Sequence, residues 1–158
     1  MIALLEYADA VTTGKILAGD KIKRVYDRLA EDVVNPRGEW HFDERRGNRP
    51  IQFIEKFCRQ SQGLAGKPFT LELFQKAMIQ AVFGFLDDDD FRRFREFLEI
   101  IARKNGKTTI LSGLELYMLL GDNEGAPEIY NIATAREQAM KGYTECLNMR
   151  AHSVLIQK

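Results

Sequence analysis

The amino-acid sequence predicts an α/β protein with two parts, a helical N-terminal segment over residues 1–66 and the beginning of a parallel-sheet domain over residues 67–158. Three observations predict this class. Apolar residues recur at helical spacing up to about residue 66, two short apolar runs appear only after residue 96, and a loop and an apolar helix separate those runs. The second part therefore has, after a first helix, the predicted order strand, loop, helix, strand, helix.

Helical periodicity dominates the N-terminal segment. In DKIKRVYDRLAEDVV, Asp20 is the expected N-cap of a helix whose apolar face is formed by Ile22, Val25, Leu29 and Val33. A further helix is predicted in RPIQFIEKFCRQ, with Pro50 near its first turn. The first helix of the second part is FTLELFQKAMIQAVFGF, and the acidic run Asp87–Asp90 ends it.

The pattern changes after the acidic run. FLEIIA, residues 97–102, is short and apolar, as is typical of a strand buried on both faces. TTILSGLELYMLLG is apolar almost all round and stops at Gly121, which predicts a buried helix. EIYNIAT, residues 128–134, is the second predicted strand, and a helix over residues 135–149 follows it.

Composition excludes several classes of protein. Lys and Arg together number 23, as do Asp and Glu, so no global basic excess indicates nucleic acid. The cysteines Cys58 and Cys146 and the histidines His41 and His152 are isolated, which indicates reduced thiols and no zinc site. No basic leader and no apolar run of about 18 residues occurs, so we expect a soluble protein that is neither exported nor inserted in a membrane.

The stretch ARKNGKTT, residues 102–109, lies between the first predicted strand and the apolar helix. It ends in Gly-Lys-Thr, the tail of the phosphate-binding pattern G-x-x-x-x-G-K-[ST], but Ile101 stands where the first Gly belongs. Backbone N–H groups and the positive end of a helix can hold phosphate oxygens at such a place. Lys107 would then reach the outer phosphates, and Thr108 would give its hydroxyl to magnesium.

The loop is therefore a deviant one. Asn105 and Gly106 must turn the backbone tightly, and both tolerate left-handed conformations, whereas Ile101 does not. Arg103 and Lys104 add positive charge near the phosphates. The alternative is an ordinary strand-to-helix turn with solvated basic side chains.

These residues resemble the large terminase subunits of tailed bacteriophages, the motors that package viral DNA. ARKNGKTT looks like their deviant Walker A loop, in which a basic, Asn-containing run replaces the glycine-rich opening. YADAVTTGKILAGDKIKRVYDRLAEDV, FDERRGNRPIQFIEKFCRQSQGLAGKPFTLELFQ and PEIYNIATAREQA resemble, in order, the N-terminal helices, the approach to the ATPase domain, and its second strand with the following helix. The resemblance implies a P-loop NTPase fold with a parallel sheet.

The resemblance also implies the ligands ATP and Mg²⁺ and a set of site residues. Gln75 matches the Gln that the family places upstream of the loop to read adenine; taken without the family, a Gln on an amphipathic helix is usually solvated. Lys107 is the implied catalytic residue, and Thr108 is the implied metal ligand. The nucleotide-binding residues implied are Gln75, Arg103, Lys104, Asn105, Gly106, Lys107, Thr108 and Thr109.

The acidic and basic run DDDDFRRFRE has two readings. Four adjacent Asp residues cannot all converge on one ion, so we favour a solvated loop over a metal cluster. Arg92, Arg93 and Arg95 could contact DNA phosphates, but the neighbouring Asp residues cancel most of their field.

In its complete form, a protein of this family is expected to be an ATP-driven packaging motor with a nuclease domain in the cytoplasm of the infected bacterium. Its implied partners are double-stranded phage DNA, the portal protein, the small terminase subunit and other copies of itself in a ring. No apolar run ending in Asp-Glu, the Walker B strand, follows residue 134, so we expect a truncated piece that is inactive alone. The alternatives are a helical interaction module with a vestigial loop and a fragment of an unrelated P-loop kinase or helicase.

Overall fold

The computed structural model describes residues 2–61 and 65–153. Within these ranges the chain forms helices and two short strands, in the order α1 Ala3–Thr12, α2 Asp20–Val34, β1 His41–Phe42, α3 Glu44–Phe57, α4 Leu73–Gly84, β2 Phe85–Leu86, α5 Lys107–Leu120 and α6 Arg136–Ala151. No helix in the described part of the chain is both long and apolar enough to span a membrane.

The chain divides into two compact units that do not follow chain order. The first unit comprises Met1–Ile51 and Leu71–Leu98, and the second comprises Gln52–Thr70 and Glu99–Lys158. The predicted division into residues 1–66 and 67–158 stays a prediction, since it concerns segments along the chain and these units are defined by packing.

In the first unit, α1 packs against α2 and α4. Gln80 lies in this core with no exposed surface. Its Oε1 accepts a hydrogen bond of 2.8 Å from the Leu4 N–H, and its Nε2 donates one of 2.7 Å to Asn48 Oδ1. A buried amide with both ends paired fixes α1 against α4 without leaving a polar group unsatisfied. The buried apolar side chains of the core of this unit include Leu4, Val11, Leu29, Ala77 and Phe85.

The sheet of the described residues is a two-stranded antiparallel one, in which His41 pairs with Leu86 and Phe42 with Phe85. Gly84 permits this pairing, because a Cβ there would lie only 2.5 Å from the Phe42 ring. The predicted parallel strands are not formed in the described part of the chain: residues 97–102 and 128–134 contain no assigned strand.

The physical reason is that a strand is defined by its partner. Residues 97–102 and 128–134 have no ladder partner among residues 2–61 and 65–153. Residues 97–102 were predicted to be buried on both faces, yet Leu98 and Ile100 are 83% and 87% exposed; in the second predicted strand, Ile132 is 91% exposed. Both segments are apolar in composition, but several of their apolar side chains are exposed and not buried.

The helices of the second unit agree with the sequence. The predicted apolar helix is confirmed as α5, which is followed by Gly121, and the last predicted helix is confirmed as α6. Gly113 allows α5 to approach Ile54 closely, since a Cβ at that position would lie 3.1 Å from Ile54 Cγ1.

The helices of the N-terminal segment differ in detail from the prediction. Asp20 is the first residue of α2, and Gly19 occupies the cap position that Asp20 was predicted to fill. Of the residues predicted to share one apolar face of α2, Leu29 is buried, whereas Ile22 and Val25 are exposed.

The position of Pro50 was also predicted wrongly, because it lies inside α3 and not in its first turn. The helix begins earlier in the chain than predicted, because Asp43 caps it: Asp43 Oδ1 accepts a hydrogen bond of 2.9 Å from the Arg46 N–H.

Candidate functional site

The loop before α5 turns through two left-handed residues. Gly106 occupies the N-cap of α5 with φ 73° and ψ 13°, as predicted for a residue that must turn tightly. The second left-handed residue is Lys104, with φ 69°, and not Asn105 as predicted. Ile101 has no positive φ. The missing first Gly is therefore accommodated, because the unusual backbone conformation falls later in the loop.

Asn105 shapes the loop with its side chain. Its Nδ2 donates a hydrogen bond of 3.1 Å to the carbonyl oxygen of Ala102, three residues earlier. This local bond replaces a backbone turn and leaves the Asn105 backbone in a conformation that costs little. The side chain that favours turns thus supports Lys104 in its left-handed conformation, which costs roughly 1 kcal/mol for a residue with a Cβ.

The N-terminus of α5 is open. The Gly106 carbonyl accepts the first helical hydrogen bond from the Ile110 N–H at 2.9 Å, and no side chain caps the helix. The N–H groups of the first turn consequently lack intrahelical partners. Lys107 and Thr108 are exposed, and Thr109 is half-buried. Such an end can bind an anion through its N–H groups and its positive dipole.

The remainder of α5 is held firmly against α6. Ser112 Oγ donates a hydrogen bond of 3.2 Å to the Gly142 carbonyl, and Cys146 Sγ lies 3.1 Å from Glu115 Oε2. Burial and the neighbouring Glu115 carboxylate raise the pKa of Cys146 to about 12, so the thiol stays protonated and serves as a donor. The uncapped first turn therefore belongs to a helix whose position is fixed by its contacts with α6.

Glu99, on the segment that leads into the loop, is the unusual acidic group of the second unit. Both of its carboxylate oxygens are buried without a hydrogen-bond partner among the described residues. Burial raises its pKa, and the positive charge of Lys107 acts in the opposite direction. Glu99 is thus a half-buried residue with buried carboxylate oxygens, and it interacts electrostatically with the Lys of the loop.

A cavity of about 600 Å³ adjoins the first turn of α5. Its walls come from that turn, from one face of α6 and from two short stretches of the connection between α3 and α4. The lining residues are Gln60, Ser61, Phe69, Thr108, Thr109, Glu137, Met140, Lys141, Thr144, Glu145 and Asn148. The cavity combines an apolar ring and a thioether with amides, hydroxyls and carboxylates, as ligand sites commonly do.

Gln75 is the predicted site residue that lies outside the loop. It belongs to the first unit, whereas the other predicted residues, Arg103 to Thr109, follow one another in the second unit. Gln75 is only 6% exposed, and its Oε1 accepts a hydrogen bond of 2.9 Å from the Glu72 N–H at the start of α4. The side chain is therefore not a solvated one; it caps a helix and keeps an orientation that the backbone fixes.

The Asp87–Asp90 run forms an exposed turn, as the favoured reading expected. Asp87 Oδ1 accepts hydrogen bonds from the N–H groups of Asp89 and Phe91, at 3.0 and 2.9 Å. Arg93, one of the residues considered for DNA contact, instead donates to the buried Asp32 at 2.9 Å. The positive charge of Arg93 therefore forms an ion pair within the first unit.

Sequence reasoning missed Glu99 and the residues of the cavity. A Glu inside an otherwise apolar predicted strand is a signal that could have found Glu99. No comparable signal marks Gln60, Glu137 or Asn148, because each is an ordinary polar residue until folding brings the three side chains to one cavity.

Comparisons with known proteins identify the family of this chain. A family model described as "Terminase large subunit, ATPase domain" matches residues 73–155, which is more than half of the chain. The chain is 41% identical over 96 residues to the terminase large subunit of Enterobacteria phage HK97, covering 60% of this chain and 18% of that protein.

A solved structure is similar as well. The crystal structure of the HK97 bacteriophage large terminase matches with a TM-score of 0.55 and 34% sequence identity, covering 71% of this chain and 22% of that one. The chain thus spans about a fifth of the length of the relatives that it matches. The loop, Gln75 and the cavity-lining face of α6 are parts of a chain that belongs to the terminase large subunit family and carries residues of its ATPase domain.

Proposed function

We propose that this chain provides the nucleotide-binding part of the ATP-driven motor that packages phage DNA into procapsids. One observation supports this function best: in a chain of the terminase family, Gly106, Lys107 and Thr108 form the exposed and uncapped start of α5. An uncapped helix start next to a Lys offers N–H donors and a positive charge to the same phosphates.

Each loop residue has a role in this proposal. In the complete protein, Lys107 would be the catalytic residue, since its charge would stabilise the outer phosphates as the bond between the terminal phosphate and ADP breaks. Arg103 and Lys104 add positive charge at the entry of the loop. Asn105 and Gly106 shape the backbone, and the N–H groups of Thr108 and Thr109 face the inner phosphates.

Magnesium fits the residues that are present. Within the described ranges, no three His, Cys, Asp or Glu side chains converge as a metal-binding group. Mg²⁺ bound with ATP needs no such group, because it keeps several waters and takes the remaining ligands from phosphate oxygens and one or two protein oxygens. The exposed Thr108 hydroxyl is the protein ligand that we propose.

Gln75 is proposed to read the adenine base. A planar amide presents one acceptor and two donors, and these can pair with the edge of adenine. The Glu72 N–H occupies one lone pair of Gln75 Oε1 and thereby orients the amide. This orientation leaves the second lone pair of Oε1 and the Nε2 donors for the base.

The properties of the whole protein follow as proposals from its family. The complete chain would translocate double-stranded phage DNA in the host cytoplasm, act with the portal protein and the small terminase subunit, assemble as a ring and carry a nuclease domain. Hydrolysis needs an acidic residue for magnesium and a residue that activates water. No apolar run ending in Asp-Glu follows residue 134 in the sequence, so we propose that these 158 residues bind ATP without hydrolysing it.

The test of the proposal is a titration of Mg-ATP into the wild-type chain and into Lys107→Ala. Loss of a charge-assisted phosphate contact should weaken binding by about 10- to 100-fold. Lys21→Ala, which removes an equally exposed charge from the first unit, is the matched control and should bind like the wild type. Equal affinity of Lys107→Ala and the wild type would reject the phosphate role and favour an interaction module with a vestigial loop.

A further inference from the structure

The cavity beside the loop supports an inference that the loop does not carry. Two of its lining residues, Thr108 and Thr109, belong to the first turn of α5, so the cavity is continuous with the proposed phosphate site. Lys107 reaches the outer phosphates in that proposal, and the two threonines follow it along the helix. The cavity therefore adjoins the inner phosphate, to which the sugar of a nucleotide is bonded.

The carboxylates of the cavity differ in what they already bind. Glu145 is buried, and its two oxygens lie 2.7 and 2.8 Å from Ser61 Oγ, whose hydroxyl donates to the carboxylate. Glu137 is exposed, and it forms no hydrogen bond or ion pair with the described residues. Glu145 thus holds the wall together, whereas Glu137 has its full accepting capacity available.

The other walls suit the sugar and its surroundings. Phe69 is half-buried and Met140 is partly exposed, so both present apolar surface to the carbon skeleton of a ligand. Gln60 is fixed by its backbone, because its N–H donates a hydrogen bond of 3.0 Å to the Lys67 carbonyl. The cavity volume of about 600 Å³ is within the usual range for small-molecule sites and exceeds what one sugar needs, which leaves the base room to continue outward.

We propose that this cavity holds the ribose of the bound nucleotide and that the Glu137 carboxylate accepts hydrogen bonds from its vicinal hydroxyls. Sugar hydroxyls are donors, and an ionised carboxylate is the strongest acceptor that a side chain offers them. The proposal rests on the phosphate role of the loop. It adds that the site selects ribonucleotides over nucleotides that lack these hydroxyls.

The experiment pairs one residue with one chemical group of the ligand. ATP, 2′,3′-dideoxy-ATP and inorganic tripolyphosphate, each with magnesium, are titrated into the wild type, Glu137→Gln and Glu124→Gln. Glu124 is an exposed Glu of the second unit that does not line the cavity, so its substitution makes the same change of charge elsewhere. Comparing ligands within each variant cancels any general effect of charge or stability on binding.

Wild-type protein should bind ATP roughly tenfold more tightly than the dideoxy analogue, as expected for a charge-assisted hydrogen bond. In Glu137→Gln this preference should fall close to unity through weaker ATP binding, and in Glu124→Gln it should persist. Equal binding of ATP and the analogue by the wild type, or an unchanged preference in Glu137→Gln, would overturn the ribose site.

Tripolyphosphate separates this proposal from the one on which it rests. If it binds the wild type while the ribose preference is absent, the phosphate loop stands and the ribose site is wrong. If neither ATP nor tripolyphosphate binds, both proposals are wrong.

Discussion

The helices α4 and α5 begin in opposite ways. At the start of α4, the Glu72 N–H is bound to Gln75 Oε1, and the Gln75 side chain is buried. At the start of α5, Gly106 offers no side chain, and the residues that follow it are exposed. A closed helix end contributes stability, whereas an open one keeps its donors for a ligand. The comparison distinguishes a structural amide from a candidate phosphate site.

The same contrast separates two carboxylates, Asp32 of the first unit and Glu99 of the second. Asp32, in the first unit, accepts hydrogen bonds of 2.9 Å from Arg37 Nε and from Arg93 Nη1. Glu99, in the second unit, has neither oxygen bonded to a described residue. The buried side-chain atoms without partners in the described ranges all belong to Glu99 and Ser153, and both residues lie in the second unit. Unsatisfied polarity is thus concentrated in the unit that carries the loop.

The largest effect that tests this contrast is expected for Asp32→Ala. The substitution removes the common acceptor of Arg37 and Arg93 and leaves their guanidinium groups without it, which should lower the free energy of unfolding by about 2 to 3 kcal/mol. Urea unfolding measures the change, and Asp88→Ala, in the exposed acidic turn, is the matched control. A loss no larger than that of Asp88→Ala would show that the Asp32 network contributes little to stability.

Acid unfolding sharpens the same test. Burial would raise the pKa of Asp32, but hydrogen bonds from Arg93 and Arg37 lower it below the usual value. A depressed carboxyl pKa contributes stability above the unfolded pKa, and this contribution is lost as the pH falls through the folded one. Asp32→Asn should therefore show a weaker loss of stability in acid than the wild type.

The sequence predicted helices better than strands for a physical reason. An apolar run that stops at a Gly identifies α5, because the backbone hydrogen bonds of a helix form between residues of the same run. The residues that carry the sequence pattern are therefore the residues that form the helix. Residues 97–102 have an equally clear apolar pattern, but a strand must pair with a second strand, and the pattern does not show which segment that is. The tolerance of Asn for left-handed conformations also led to the wrong residue, because Lys104 has the positive φ and the Asn105 side chain supports it.

The candidate site was predictable only where it is contiguous. Residues 103–109 form one loop because they adjoin in the sequence. The cavity joins residues from four separated stretches of the chain, and no spacing rule connects Ser61 to Glu145. The burial of Gln75 was likewise hidden, because its packing depends on how α4 lies in the first unit.

A smaller effect tests whether the Gln75 side chain, which caps α4, also binds the ligand. Gln75→Ala removes the acceptor of the Glu72 N–H, so it should cost about 1 kcal/mol of stability. If the amide also reads adenine, the variant should lose affinity for ATP more than for GTP, because only the matching purine edge loses a partner. Competition titrations of both nucleotides measure the difference, and Gln52→Ala, an exposed amide on α3, is the control. Equal weakening of the two nucleotides would assign Gln75 to capping alone.

The smallest effect, and the one of opposite sign, is expected for Glu99→Gln. A neutral amide in place of a buried carboxylate without hydrogen-bond partners should raise the free energy of unfolding by up to about 1 kcal/mol at neutral pH. Because burial raises the folded pKa of Glu99, the wild type loses stability as the pH rises through that pKa, and the gain of the variant should vanish in acid, where Glu99 is protonated. Thermal unfolding at several pH values measures the gain, with the exposed Glu96→Gln as the control. If the variant is less stable than the wild type at neutral pH, the ionised Glu99 carboxylate stabilises the fold. Its attraction to the Lys107 charge then outweighs the cost of burying it without hydrogen bonds.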